Sequence, residues 1–313
     1  MKRLMILGLC IVVIAAMALN GCAPRPTPTP TPAVVPKELT LGLSISTLDN
    51  PFFVTLKKGA EEAAAKVDVK LVIVDCENDS AKEAANLEDL IAKKVDALLI
   101  NPTDAEAVVP SIQKANTAGI PVFTVDRAAA GGQIVSHIAS DNVAGGKMAG
   151  EQLAKLLGNK GKVVELEGIT GTSSARERGQ GFNEVIKKYP DIQVVARQTA
   201  DYDRAKGLAV FENILAAQPQ IDGVFAHNDQ MILGAIQAAE AAGRADKIIF
   251  IGFDAIDDAV TAVKAGKLAA TIAQQPAEMG RLSVEMAAKS LRGETVDKYV
   301  PVPLSLVTPE TVR

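Results

Sequence analysis

The chain is short of the residues from which metal centres and disulfide frameworks are built. Its 313 residues include three cysteines and two histidines. So few imidazoles and thiols do not supply a dedicated zinc site. There is no run of basic residues, and a net charge of −4 gives no electrostatic footprint for nucleic acid. Long apolar runs are missing too, with one exception near the start. Residues 5–19 carry no charge and follow Lys2 and Arg3. At about 15 residues, the run falls short of the roughly 20 that span a bilayer core.

That run ends in the tetrapeptide LNGC at residues 19–22. A basic start, a short apolar stretch and a small residue before a cysteine predict a secretory signal over residues 1–21 and lipidation of Cys22. Cys10 then leaves with the signal, so Cys76 has no partner and no intramolecular disulfide forms. Cys76 follows the apolar run 71–74 and reads as a small, buried strand-end residue. Losing Lys2 and Arg3 takes the net charge to about −6. In residues 22–37, Pro26, Pro28, Pro30 and Pro32 alternate with Thr27, Thr29 and Thr31. This composition favours extended polyproline II and predicts a tether that holds a globular body up to about 50 Å from a membrane.

From residue 38 the chain is long enough for two domains of ordinary size. Short Val-, Ile- and Leu-rich runs at 39–45, 69–74, 96–100, 121–125, 162–167, 192–197, 222–226, 248–252 and 269–273 alternate with alanine-rich stretches of helical period. Apolar strands separated by helices indicate parallel sheets covered on both faces, a doubly wound α/β architecture in two copies.

In such sheets the ligand crevice lies beyond the carboxyl ends of the strands. There the sequence places STLDNPFF (46–53), NPTD (101–104), Asp126 with Arg127, His227 with Asn228 and Asp229, Phe253 with Asp254, and Gln274. Carboxylates accept hydrogen bonds, guanidinium groups donate them and amides do both, which together satisfy the hydroxyls of a small polyol. Phe52, Phe53 and Phe253 offer apolar cover for the C–H faces of a sugar ring. Singly, each has a plainer reading: Asn101 and Asn228 as turn or cap residues, Asp126–Arg127 as a surface pair, Phe52–Phe53 as core. Convergence of six strand ends in one crevice favours the site.

Phosphate binding fits poorly. The GITGTS segment at 168–173 follows a strand and opens a helix, but it lacks the ending of a P-loop and the spacing of a dinucleotide fingerprint. Ser173 or Ser174 reads as the cap of the helix carrying Arg176, Glu177 and Arg178. Gly145 and Gly146 fall inside a helical pattern and read as a packing feature.

At these residues the chain resembles the periplasmic ribose-binding protein family, type I sugar-binding lipoproteins of ABC importers. The likeness runs from residue 38 to about 308 and rests on 46–53, 101–104, VSHIASDN (135–142), GTSSARERG (171–179), ADYDR (200–204), GFD (252–254) and LAATIAQ (268–274). It implies two doubly wound parallel-sheet lobes, joined by a three-strand hinge and closing on one sugar. The lobes would be 38–140 plus 275–303, and 141–274 plus 304–313. Carried over by resemblance, Asn50, Asp126, Arg127, Arg178, Asn228, Asp254 and Gln274 would hydrogen-bond the sugar, with Ser46 and Asn101 in support. Phe52, Phe53, Tyr202 and Phe253 would complete the wall. The implied protein is an extracytoplasmic, lipid-anchored monomer that binds D-ribose. It would hand the sugar to a membrane permease, with a chemoreceptor as a further candidate partner, and would need no cofactor or metal.

Where the ribose pattern usually has phenylalanine, this chain has Tyr202, whose phenol must find a partner or exclude a ligand atom. Allose, xylose, arabinose and a furanosyl signalling molecule therefore stay open as ligands. A sugar-responsive repressor shares the fold implied, but needs a helix-turn-helix where this chain has a signal and tether. An enzyme on this scaffold lacks an evident nucleophile and base pair.

Overall fold

The computed structural model describes residues 38–312; the signal, Cys22 and the tether lie outside them. In the first half, β1 (Leu39–Ile45), α1 (Pro51–Lys66), β2 (Val69–Asp75), α2 (Ser80–Ala92), β3 (Ala97–Ile100), α3 (Val109–Thr117), β4 (Val122–Val125) and β5 (Ser136–Ala139) follow in order. The second half runs α4 (Asn142–Leu156), β6 (Gly161–Glu167), α5 (Ser173–Ile186), β7 (Ile192–Thr199), α6 (Arg204–Ala217), β8 (Gly223–Ala226), α7 (Asp229–Ala241), β9 (Ile249–Asp254), α8 (Asp257–Lys264) and β10 (Ala270–Ala273). The chain closes with α9 (Pro276–Leu291), β11 (Tyr299–Pro301) and β12 (Ser305–Val307).

The strands form two sheets, ordered β11-β5-β4-β3-β1-β2 and β12-β10-β9-β8-β6-β7. All pairings are parallel except β10 with β12, which is antiparallel. Central strands such as β3, β4 and β8 are buried at every position, because helices cover both faces, while the edge strands β2 and β7 are only partly covered. All nine apolar runs are strands. The chain passes between the sheets after β5, after β10 and after β11.

Helices pair closely where glycines face each other. Helix α4 lies on α5, α1 on α9 and α6 on α7. A Cβ on Gly146 would sit 2.2 Å from the Arg178 carbonyl oxygen, and one on Gly181 would sit 2.0 Å from that of Val143. Only hydrogen fits there, so the packing role of Gly146 holds, and it fixes the height of Arg178 above the second sheet.

Helix starts are marked by polar side chains that accept from the first-turn amides: Asn50, Asp79, Asp141, Thr172, Asp203 and Asn228. The cap of α5 is Thr172, which accepts from Ala175 N, and not Ser173 or Ser174. That shift by one residue frees both serines for other partners. Cys76 is fully buried beyond β2, with its Sγ 3.1 Å from Ser44 Oγ.

Candidate functional site

The carboxyl ends of both sheets face a small, partly open cavity. Asn50, Phe52, Phe53, Asp126 and Arg127 line it from the first half, and Ser174, Arg178, Tyr202, Asn228, Asp254 and Gln274 from the second. Asp126 and Arg127 come directly after β4, Asp254 ends β9 and Gln274 follows β10. Asn50 and Asn228 are the caps of α1 and α7, so two helix N-termini also open towards the cavity. The Phe52 and Phe53 rings meet edge to face at 5.1 Å and supply an apolar wall.

The polar groups are held from beneath. Asn101 donates from Nδ2 to the Val125 carbonyl and to Asp126 Oδ2, and its Oδ1 accepts from Ser46 N and Oγ. Arg127 donates from Nη1 to the Pro102 carbonyl and lies between the rings of Phe53 and Tyr202, 5.2 and 5.4 Å from their centres. Arg178 donates from Nε to Asn142 Oδ1 and from Nη1 to the His227 carbonyl, and its Nη1 is 3.7 Å from Asp254 Oδ1. Gln274 Nε2 donates to the same Asp254 oxygen at 2.8 Å.

Three buried polar atoms of these side chains remain without a hydrogen-bond partner: Asp126 Oδ1, Gln274 Oε1 and Arg127 Nε. Two are acceptors and one is a donor. A buried polar group left unpaired is destabilising by roughly 1–3 kcal/mol. Backbone strain falls on the same wall, with positive φ at Asp126 (64°), Tyr202 (59°) and Asp254 (121°). Burial pushes the Asp126 carboxyl up, against the pull of Arg127 and Arg178, and pushes Asp254 up to about 7 against Arg178 and Gln274.

Of the thirteen residues read from the sequence as sugar contacts or their support, ten line the cavity. Ser46 and Asn101 lie behind it, bonded to each other and, through Asn101, to Asp126. Phe253 is also behind it, fully buried, its ring centre 3.9 Å from the Arg178 guanidinium carbon. It covers an arginine there and contributes no wall to the cavity. Asn228 combines its two readings, since it caps α7 by accepting from Met231 N and donates to the Tyr202 carbonyl. Ser174, read as a cap, belongs to the wall, where its Oγ is 3.0 Å from the Tyr202 hydroxyl. Only a hydrogen-bond donor opposite the unusual phenol signals that role. The halves also touch directly: Ala105 N donates to the Gly171 carbonyl and Ala128 N to Ser173 Oγ.

A family model described as a periplasmic binding protein domain matches residues 41–295. The chain is 54% identical over 269 residues to a ribose import binding protein of Haemophilus influenzae, covering 86% of this chain and 91% of the relative. Against the ribose import binding protein of Bacillus subtilis the identity is 50% over 272 residues, covering 87% and 88%. A solved ABC transporter periplasmic solute-binding protein of Actinobacillus succinogenes, with bound D-allose, superposes with a TM-score of 0.83 at 35% identity. That likeness spans 88% of this chain and 99% of the other.

Proposed function

The chain belongs to the periplasmic binding protein family, and from that membership we propose that it binds D-ribose between its two lobes and presents it to the membrane permease of an ABC importer. It is a binding protein and not an enzyme, as its relatives are named for import and not for a reaction. Its place of work is outside the cytoplasmic membrane.

One observation carries the ligand assignment. Asp126 Oδ1, Gln274 Oε1 and Arg127 Nε, all buried beside one small cavity, need partners that both donate and accept. Sugar hydroxyls do both. Asn50, Arg178, Asn228 and Asp254 complete the polar set, and Phe52, Phe53 and Tyr202 cover the ring. A ligand of about ten heavy atoms, at roughly 0.8 kcal/mol per atom, binds with about −8 kcal/mol, a Kd of about micromolar.

Binding works by population shift. A sugar in this cavity touches both lobes at once only when they are closed, so it stabilises the closed form, and the permease reads that form. The hinge runs through the three passages near residues 140, 274 and 303, dividing the body into 38–140 plus 275–303 and 141–274 plus the tail. We read the protein as a monomer anchored through a lipid on Cys22 and carried on its Pro/Thr tether, with a chemoreceptor as a second reader of the closed form.

A second monosaccharide is favoured by one feature, the Tyr202–Ser174 hydrogen bond in the wall. Calorimetric titration of the purified protein with ribose, allose, xylose and arabinose decides. One-to-one ribose binding at micromolar or tighter supports site and ligand together. Silence with ribose and a clear response to another of the four moves the ligand and keeps the receptor, whereas silence with all four overturns the sugar reading.

A further inference from the structure

Asp229 is fully buried at the first turn of α7, one residue after the cavity-lining Asn228, yet it does not line the cavity. A buried carboxyl is costly unless hydrogen bonds satisfy it. Its partners are a strand threonine and the turn that follows β9. Thr271 Oγ1 donates to Asp229 Oδ1 at 2.7 Å, and Ile256 N donates to Oδ2 at 2.9 Å. Ala255 N donates in turn to Thr271 Oγ1 at 3.3 Å. This turn is the most strained stretch of backbone in the site, with φ of 121° at Asp254 and 57° at Ala255.

Room for the carboxyl is built in. Gly252 pairs with Thr271 across β9 and β10, and a Cβ on it would lie 2.2 Å from Asp229 Oδ1. The three residues of the GFD segment therefore act separately, as Gly252 admits Asp229, Phe253 lies under Arg178, and Asp254 faces the cavity. Non-glycine residues at positive φ persist only where their surroundings hold them. Gln274 holds Asp254 from one side, through its Nε2 and its backbone N, and Asp229 with the threonine it engages holds the 255–256 side.

We propose that Asp229 is the positioning residue of the binding site: through Thr271 and the Ile256 amide it locks the strained 254–255 turn and so sets the direction in which Asp254 meets the sugar. The proposal rests on the sugar-binding reading of the cavity, with Asp254 as a ligand contact.

The test is a double-mutant cycle read by ribose titration. Asp229→Ala is expected to weaken binding about tenfold in the parent, but less than about twofold in an Asp254→Asn background, because residues acting as a unit are not additive. Asp229→Asn should recover most of the loss, since its Oδ1 still accepts from Ile256 N and its amide can donate to Thr271. Should Asp229→Ala not fold, Thr271→Val in the same two backgrounds completes the cycle, as it removes the hydroxyl on which both Asp229 and Ala255 depend. Equal losses in both backgrounds, or no loss in either, overturn the positioning role. An Asp254→Asn protein that binds ribose like the parent instead overturns the ligand contact beneath it.

Discussion

The guanidinium carbon of Arg178 sits 3.9 Å from the centre of the Phe253 ring, while Asn142 and the His227 carbonyl fix its nitrogens. A planar cation is thus clamped by a ring face and by acceptors in its own plane, ready to donate to a ligand without reordering. An ammonium group is a point charge and cannot keep the stack and the fork at once. Arg178→Ala is expected to weaken ribose binding ten- to a hundredfold, from the loss of charge-assisted bonds of about 1.5–3 kcal/mol. Arg178→Lys should fail to rescue it, and Phe253→Leu should lose only a few-fold. Titration of the three variants measures this, and a fully active Arg178→Ala would remove Arg178 from the site.

The phenol of Tyr202 already has a protein partner in Ser174, 3.0 Å away. Tyr202→Phe should therefore leave ribose affinity within about fivefold, the effect of one neutral hydrogen bond of about 1 kcal/mol. Its larger effect should be on choice, because Ser174 Oγ then faces a ligand hydroxyl. The ratio of ribose to allose affinity is expected to move more than the ribose affinity itself. A hundredfold loss of ribose binding would mean that the phenol is itself a ligand contact.

Proton uptake should accompany loss of sugar. Burial holds Asp254 at about 7 in the folded protein, so between the ordinary carboxylate range and about 7 the sugar-free fold keeps a proton that the unfolded chain has released. Stability from this group is therefore present at acid pH and lost as pH rises through that window. A hydroxyl donating to the carboxylate favours its charged form and reverses the linkage. Ribose affinity is expected to increase from pH 5.5 to about 7 and then level off, by at most tenfold per pH unit for one proton. The thermal shift produced by ribose should grow in the same direction, and Asp254→Asn should reduce both slopes, leaving the part due to Asp126, which burial also raises in the same wall. Glu83 is also raised to about 7 by burial, but it holds Thr103 from outside the cavity, so its proton bears on stability and not on the slope of affinity.

The doubly wound fold is legible because β3 and β8 are buried at every position and carry unbroken apolar runs, while β4, also buried throughout, and the largely buried β1 and β6 are interrupted only by isolated polar residues. Three strands escape that reading. β5 is SHIA, β11 is YVP and β12 is SLV, each too short to show a period and each stabilised by the sheet it joins. The cavity wall is legible where a polar residue follows a strand, as with Asp126, Asp254 and Gln274. Behind the wall, order along the chain says little. Phe253 and Asp254 are neighbours at the end of β9, yet Phe253 lies against Arg178 and only Asp254 lines the cavity. Ser174 and Tyr202 find each other across 28 residues, a pairing that no local pattern announces.

Close helix packing sets the last expectation. A methyl group on Gly181 would lie 2.0 Å from the Val143 carbonyl oxygen and 2.9 Å from Lys147 N, both backbone atoms of α4 that cannot turn aside. Gly181→Ala must therefore push α5 away from α4, at about 1–3 kcal/mol, or several degrees in Tm for a domain of this size. The same movement pulls Arg178 on α5 from Asn142 at the head of α4, so ribose affinity should fall with stability. Gly131 is the matched control. A methyl group there meets Val109 at an ordinary 3.4 Å, and Gly131 is not among the positive-φ positions, so Gly131→Ala should leave Tm unchanged or slightly raised. Thermal unfolding and ribose titration of the pair separate the outcomes: equal Tm values would show that α4 and α5 can part without loss, and a lowered Tm with unchanged affinity would break the link between this packing and Arg178.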